Sequence, residues 1–195
     1  MIDEILSNKP KSIHDIINSE FFTKYDSYDY VWSGNCFEWY YAISKTIKPS
    51  SFLEIGVRFG FSFLPTLLGY GNLKYALGWD LETYGNNEIA VNNIKKYYKG
   101  TCDWEIQHID SQQQNTLPIF FDLVSIDGCH NYGCKIHDLN LAMNNSHYAI
   151  IDDYDYIPEV RSSVNDFMLN NNKRILWYLY LPTFRGSILV KFNNG

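Results

Sequence analysis

Most of the chemistry available to this chain sits in two short acidic segments and one glycine-bracketed turn. Ile126-Asp127-Gly128-Cys129-His130-Asn131-Tyr132 places a carboxylate three residues before an imidazole, and Ile150-Ile151-Asp152-Asp153-Tyr154 adds two adjacent carboxylates. Asp127, Asp152 and Asp153 together offer the hard oxygen donors that suit Mg²⁺. His130 has the near-neutral pKa of a group that takes a proton from a hydroxyl. A hydroxyl bound to the metal is more acidic, so cation and base would cooperate to make a nucleophile. Successive side chains of a strand point to opposite faces. Asp152 and Asp153 therefore converge on one cation only if the chain leaves the strand there, and the following Tyr-Asp-Tyr-Ile-Pro allows it.

The turn is Glu54-Ile55-Gly56-Val57-Arg58-Phe59-Gly60. Gly56 and Gly60 let backbone and helix N-terminus approach a ligand closely. Their Gly-x3-Gly spacing is not the Gly-x-Gly-x2-Gly of a pyrophosphate loop, and the chain holds no Gly-x4-Gly-Lys-Ser/Thr phosphate cradle. The expected ligand is therefore a nucleoside without phosphates. S-adenosylmethionine fits, and Glu54 at the strand end suits its ammonium group. Asp80 ends the next strand, where a carboxylate can accept hydrogen bonds from both ribose hydroxyls.

The elements that must position these residues alternate between strand and helix. Strands are expected at Ser51–Ile55, Lys74–Asp80, Trp104–Ile109, Phe121–Asp127 and His147–Ile151, with helices near Phe61–Leu68, Glu88–Tyr98, Tyr132–Met143 and Val160–Leu169. Arg174–Leu181 and Ser187–Phe192 close the chain as two strands joined by a short turn. This pattern predicts an α/β fold: a Rossmann-like, seven-stranded, mostly parallel sheet with an antiparallel edge hairpin. In such a sheet ligands sit beyond the carboxyl ends of the strands, where all the residues above fall. Residues 1–48 read as an N-terminal helical cap segment, with a helix near Phe37–Ile47, and 49–195 as a single globular unit.

The whole chain has 195 residues, a formal charge of -6 and 46% hydrophobic residues. That length suffices for one well-buried core. The acidic balance and the lack of a Lys/Arg cluster argue against nucleic acid as partner. No cationic leader precedes an apolar run, and no stretch approaches the ~20 apolar residues of a spanning helix. The expectation is a cytoplasmic protein acting on a small molecule, with no membrane partner and a homo-oligomer left open. Cys36, Cys102, Cys129 and Cys134 read as reduced thiols. Cys129, His130, Cys134 and His137 include zinc-ligand types, but without the second knuckle of a structural site. Tyr40, Tyr41, Trp79, Tyr84, Tyr132 and Tyr154 are candidates to wall a substrate pocket.

Glu-Ile-Gly-Val-Arg-Phe-Gly-Phe-Ser, Asp80, Ile109-Asp110-Ser111, Asp122-Leu-Val-Ser-Ile-Asp-Gly-Cys-His-Asn-Tyr and Ile151-Asp-Asp-Tyr follow one another in the order seen in class I methyltransferases. From Phe37 to Phe192 the chain resembles the metal-dependent branch containing macrolide-sugar O-methyltransferases and cephalosporin-hydroxylase-like proteins. The resemblance implies Glu54, Gly56, Gly60 and Asp80 around S-adenosylmethionine, with Asp110 and Ser111 near the adenine. It also implies Mg²⁺ on Asp127, Asp152 and Asp153, with His130 and Asp127 catalytic. The position of Asp152 is often Glu in the sugar-modifying members. Methyl transfer to a sugar or phenol hydroxyl is the expected activity. Metal-independent transfer to nitrogen or carboxylate, and a non-catalytic nucleoside- or partner-binding module, are the alternatives.

Overall fold

The computed structural model describes residues 1–17, 36–81 and 86–194. Seven strands form one sheet: β1 (Ser51–Ile55), β2 (Tyr75–Asp80), β3 (Asp103–His108), β4 (Phe121–Ile126), β5 (Ser146–Ile151), β6 (Ile175–Leu181) and β7 (Ser187–Phe192). Their order is β3-β2-β1-β4-β5-β7-β6. The first five run parallel, and β7 enters antiparallel to β5 and to β6. The expected mostly parallel sheet with an antiparallel edge is therefore the observed one.

Alternation along the strands divides the core. Phe52, Ala76, Leu123, Ile150 and Leu189 face one layer. It is covered by α2 (Cys36–Ile47), α3 (Phe63–Gly69) and α4 (Asn86–Tyr97). Leu53, Leu77, Val124, Ala149 and Val190 face the other, covered by α5 (Tyr132–Asn145) and α6 (Pro158–Asn170). Both layers exclude water, as a parallel sheet requires. The short α1 (Ile2–Asn8) and the turn after it pack on α2, where the buried Glu38 Oε1 accepts a 2.7 Å bond from the Ile13 amide.

Several boundaries differ from expectation. Helix α3 starts at Phe63 rather than Phe61, because Gly60 is still in the turn, with φ +80° and its amide bonded to the Val57 carbonyl. Pro65 then falls in the first turn, where a missing amide costs no helical bond. Strand β3 starts at Asp103, whose amide reaches the Lys74 carbonyl at 2.9 Å, and it ends at His108 rather than Ile109. Among the described residues no helix is long and apolar enough to cross a membrane.

The chain order reverses between β1 and β4, so the loops after these two strands diverge and leave a crevice. Gly56 lies in that crevice at φ +92°, and a Cβ there would fall against the Asp127 carbonyl. Only glycine brings the β1 and β4 loops this close.

Candidate active site

A cavity of about 540 Å³ opens at this crevice, within the range of small-molecule sites. One wall comes from the ends of β1 to β3: Gly56, Trp79, Asp80, Asp110, Ser111 and Gln112. The opposite wall carries Asp127, His130, Asp153 and Arg185. A smaller lobe, lined by Cys36, Phe37, Phe61, Ser62 and Asp152, shares Gly56, Arg58, Asp127 and Arg185 with it.

The first wall is held by hydrogen bonds among its own polar groups. Asp80 Oδ2 accepts a 2.7 Å bond from the Arg58 amide, which ties the end of β2 to the glycine turn. Asp110 caps a short 3-10 turn (Ser111–Gln113), accepting from the Gln112 amide at 3.0 Å. The Gln112 side-chain amide donates to Asp138 Oδ1 at 2.9 Å. A carboxylate only accepts, so Gln112 must turn its NH₂ toward Asp138.

Glu54 and Gly60 stand behind this wall rather than on it. Glu54 is fully buried, and its Oε1 accepts a 2.5 Å bond from the Ser62 hydroxyl, which itself lines the smaller lobe. Burial pushes the Glu54 carboxyl well above the usual range, against the Ser62 bond that favours its charged form, and Asp127 and Asp80 push it further. Gly60 abuts Ala90 and Ile94, so its role lies in seating α4 against the turn.

On the opposite wall Asp127, His130 and Asp153 bring one ligand atom each to within 4.8 Å of one another. His130 Nε2 lies 3.1 Å from Asp153 Oδ2 and 3.7 Å from Asp127 Oδ1. The close Asp127 and Asp153 carboxylates push the imidazole up to about 9, despite the opposing cost of burial. Asp153 adopts φ +62°, which turns its side chain back toward β4 as the chain leaves β5. Asp153 is held below the usual carboxylate range: burial opposes this, and the His130 bond and the Arg185 charge outweigh it.

Asp152 points elsewhere. Its Oδ1 accepts a 2.6 Å bond from the Ser187 hydroxyl, and the Cys36 thiol stands 3.8 Å from Oδ2. Burial first, then Asp127 and Asp153, raise its carboxyl to about 7. The structure thus gathers Asp127 and Asp153 with His130, and places Asp152 on the smaller lobe. The chain has left β5 at these residues, and the positive φ of Asp153 turns its side chain away from that of Asp152.

Asp127, His130 and Asp153 suit a divalent cation. Asp153 Oδ2 is buried without a well-directed hydrogen bond, its contact to His130 lying off the bonding line. The zinc arrangement is not assembled, since His137 Nε2 is taken up 2.9 Å from the Ser111 carbonyl. Of the aromatic residues expected along the pocket, Trp79 lines it. Tyr40 bonds Ser125 in the core, and Tyr132 and Tyr154 bond Asp166 and Asn165 of α6. Tyr84 lies outside the described residues. Arg58 and Arg185 are among the lining residues that the sequence pattern did not single out, because a lone arginine in a turn carries no periodic or motif signal.

In comparisons by sequence, no family pattern and no curated protein matches this chain. Comparison of structures does find likeness. A Podospora anserina methyltransferase with S-adenosylhomocysteine bound is 19% identical, covers 82% of this chain and 78% of its own, and superposes with a TM-score of 0.61. The fold is that of solved methyltransferases. An O-methyltransferase from Bacillus cereus in complex with S-adenosylhomocysteine is 16% identical over 98% of this chain and 90% of its own, with a TM-score of 0.62. TomG from Streptomyces achromogenes, an O-methyltransferase of tomaymycin synthesis in complex with S-adenosylmethionine, is 13% identical over 79% and 78%, at 0.60.

Proposed function

We propose that this chain is an S-adenosylmethionine-dependent methyltransferase acting on a hydroxyl of a small molecule, with help from a divalent cation. The observation that carries the reading is the pairing of two walls across one cavity. A nucleoside-sized wall faces a compact carboxylate–imidazole group, and the glycine turn joins them. The fold shared with cofactor-bound methyltransferases supports the same reading.

In this reading Asp80 accepts the ribose hydroxyls, while Asp110 and Ser111 border the adenine. Gly56 admits the cofactor backbone-close, and Ser62, backed by Glu54, meets the amino-acid end. When bound, S-adenosylmethionine supplies an electrophilic methyl group on a sulfonium. The chain's part is to hold an acceptor oxygen in line behind that methyl, which converts an encounter into a near-attack geometry. His130 lies where it would receive the hydroxyl proton. Asp127 and Asp153 would be the donors for Mg²⁺, with His130 beside them as the base, and Asp152 stands by on the smaller lobe. Bound there, a hard divalent cation would acidify the acceptor hydroxyl and draw carboxylate charge away from His130, returning the imidazole to the neutral form a base needs.

The deciding test is calorimetric titration with S-adenosylhomocysteine, with and without Mg²⁺. Saturable binding that strengthens with Mg²⁺ is expected. Absence of binding in both conditions would overturn the proposal. Binding with methyl transfer that chelators leave untouched would move the activity to a metal-independent acceptor.

A further inference from the structure

Arg185 is the one cation among the described residues that lines both lobes and also touches the carboxylate–imidazole group. It comes from the turn between β6 and β7, next to Gly186. Its position is set by its backbone. The Arg185 carbonyl accepts the Asp155 amide at 2.8 Å, and the Gly186 carbonyl accepts the Tyr154 amide at 2.9 Å. Asp155 in turn is held by Arg161 at 2.7 Å and by the Tyr180 hydroxyl at 2.5 Å. The guanidinium lies 5.0 Å over the Tyr156 ring, a favourable seat for a planar cation.

For so well-seated a group it is thinly bonded. A guanidinium has five N–H donors. Here Nη1 reaches Asp153 Oδ1 at a long 3.3 Å, and the buried Nε has no partner. Burial opposes its charge, but Asp153, Asp127 and Asp152 outweigh that and favour the protonated form. With Nε unpartnered and Nη1 only loosely engaged, the guanidinium keeps donors to spare for a planar anion.

Resting on the methyltransferase reading, we propose that the acceptor is a hydroxy acid, with a carboxylate beside the hydroxyl to be methylated, and that Arg185 receives that carboxylate. Asp153 separates Arg185 from His130 by one side chain, at 3.3 Å and 3.1 Å respectively. A hydroxyl served by His130 therefore carries its neighbouring substituent to Arg185. A monoanion fits better than a phosphate dianion, because Asp152 and Asp127 also border the smaller lobe and would repel a second charge. Planar carboxylates match the guanidinium fork.

The test uses two probes that differ only in the carboxylate: 2,3-dihydroxybenzoate and catechol. Each is titrated calorimetrically into the full chain saturated with S-adenosylhomocysteine and Mg²⁺. Dihydroxybenzoate is expected to bind at least about tenfold tighter than catechol. In Arg185→Gln that gap closes, read as the ratio of the two affinities so that any change common to both probes cancels; Arg185→Lys keeps part of it. Equal affinity of the two probes for the wild type overturns the inference without involving any variant. A gap that survives in Arg185→Gln overturns it as well. Loss of S-adenosylhomocysteine affinity in Arg185→Gln with the gap intact assigns the arginine to the cofactor's own carboxylate, which also overturns it. Failure of S-adenosylhomocysteine to bind the wild type instead removes the reading on which the inference stands.

Discussion

His130 Nε2 stands 3.1 Å from Asp153 Oδ2, bridging the loops that follow two neighbouring strands, β4 and β5. The contact couples two segments that sequence order keeps apart, and it makes Asp153 the hinge of the acidic group. Asp153→Asn is the informative change, since asparagine tolerates the positive φ that Asp153 adopts. Mg²⁺ is expected to raise the melting temperature of the wild type and to leave that of Asp153→Asn unmoved. Methyl transfer in the variant should fall by roughly a hundredfold or more, consistent with the loss of a metal-supporting group. An Mg²⁺-dependent shift of wild-type size in Asp153→Asn would remove Asp153 from the cation site.

Gly56→Ala meets both a φ of +92° and the Asp127 carbonyl. The cost is expected at about 1–3 kcal/mol of stability, the usual size for a side chain forced into a strained position. S-adenosylhomocysteine affinity should drop at least about tenfold, because the β1 and β4 loops must part. Denaturant unfolding and calorimetry read the two effects separately. Wild-type affinity in Gly56→Ala would show that the close approach of the loops does not shape the cofactor site.

Asp80→Ala removes the carboxylate at the end of β2 and its bond to the Arg58 amide. A weakening of S-adenosylhomocysteine by roughly ten- to a hundredfold is expected, from two lost ribose bonds at about 1–1.5 kcal/mol each. Asp80→Asn should recover part of it. If alanine binds as well as wild type, the ribose lies elsewhere.

Glu54 provides a pH test. Its carboxyl is pushed up by burial, so the folded chain keeps a proton that the unfolded chain releases above 4.5. That retained proton stabilises the fold fully below 4.5, and the contribution is lost as pH rises toward the folded-state value. Wild-type melting temperature should therefore decline across this window, and Glu54→Gln should decline less steeply. Parallel profiles would show that Glu54 is ionised in the folded protein.

The fold was the most legible part of the sequence, because a periodic pattern carried the signal. Ser51–Ile55 and Ser187–Phe192 match their strands residue for residue, and Gly56, Asp80, Asp110, Ser111, Asp127, His130 and Asp153 all line the cavity. The signal was weaker wherever a side chain's direction mattered. Nothing in a row of letters says that Asp152 turns to Ser187 and Cys36 while Asp153 turns to His130; the positive φ at Asp153 decides that. Glu54 sits one strand position behind the wall, since the residue facing the lobe is its hydrogen-bond partner Ser62. Arg185 was invisible because its placement depends on the Asp155 contacts that anchor the β6–β7 turn, which no local pattern announces.

The glycine at position 56 has a thermodynamic meaning as well as a steric one. The Gly56 amide bonds the Trp79 carbonyl, the Asp127 amide bonds the Ile55 carbonyl at 2.8 Å, and a Cβ at position 56 would fall against the Asp127 carbonyl. A ligand that settles against Gly56 and a cation that settles on Asp127 thus load the same piece of backbone. Their binding free energies are then linked, and linkage is reciprocal: the factor by which Mg²⁺ changes nucleoside affinity must equal the factor by which the nucleoside changes Mg²⁺ affinity. One contact between two loops would make a nucleoside and a cation bound here report on each other.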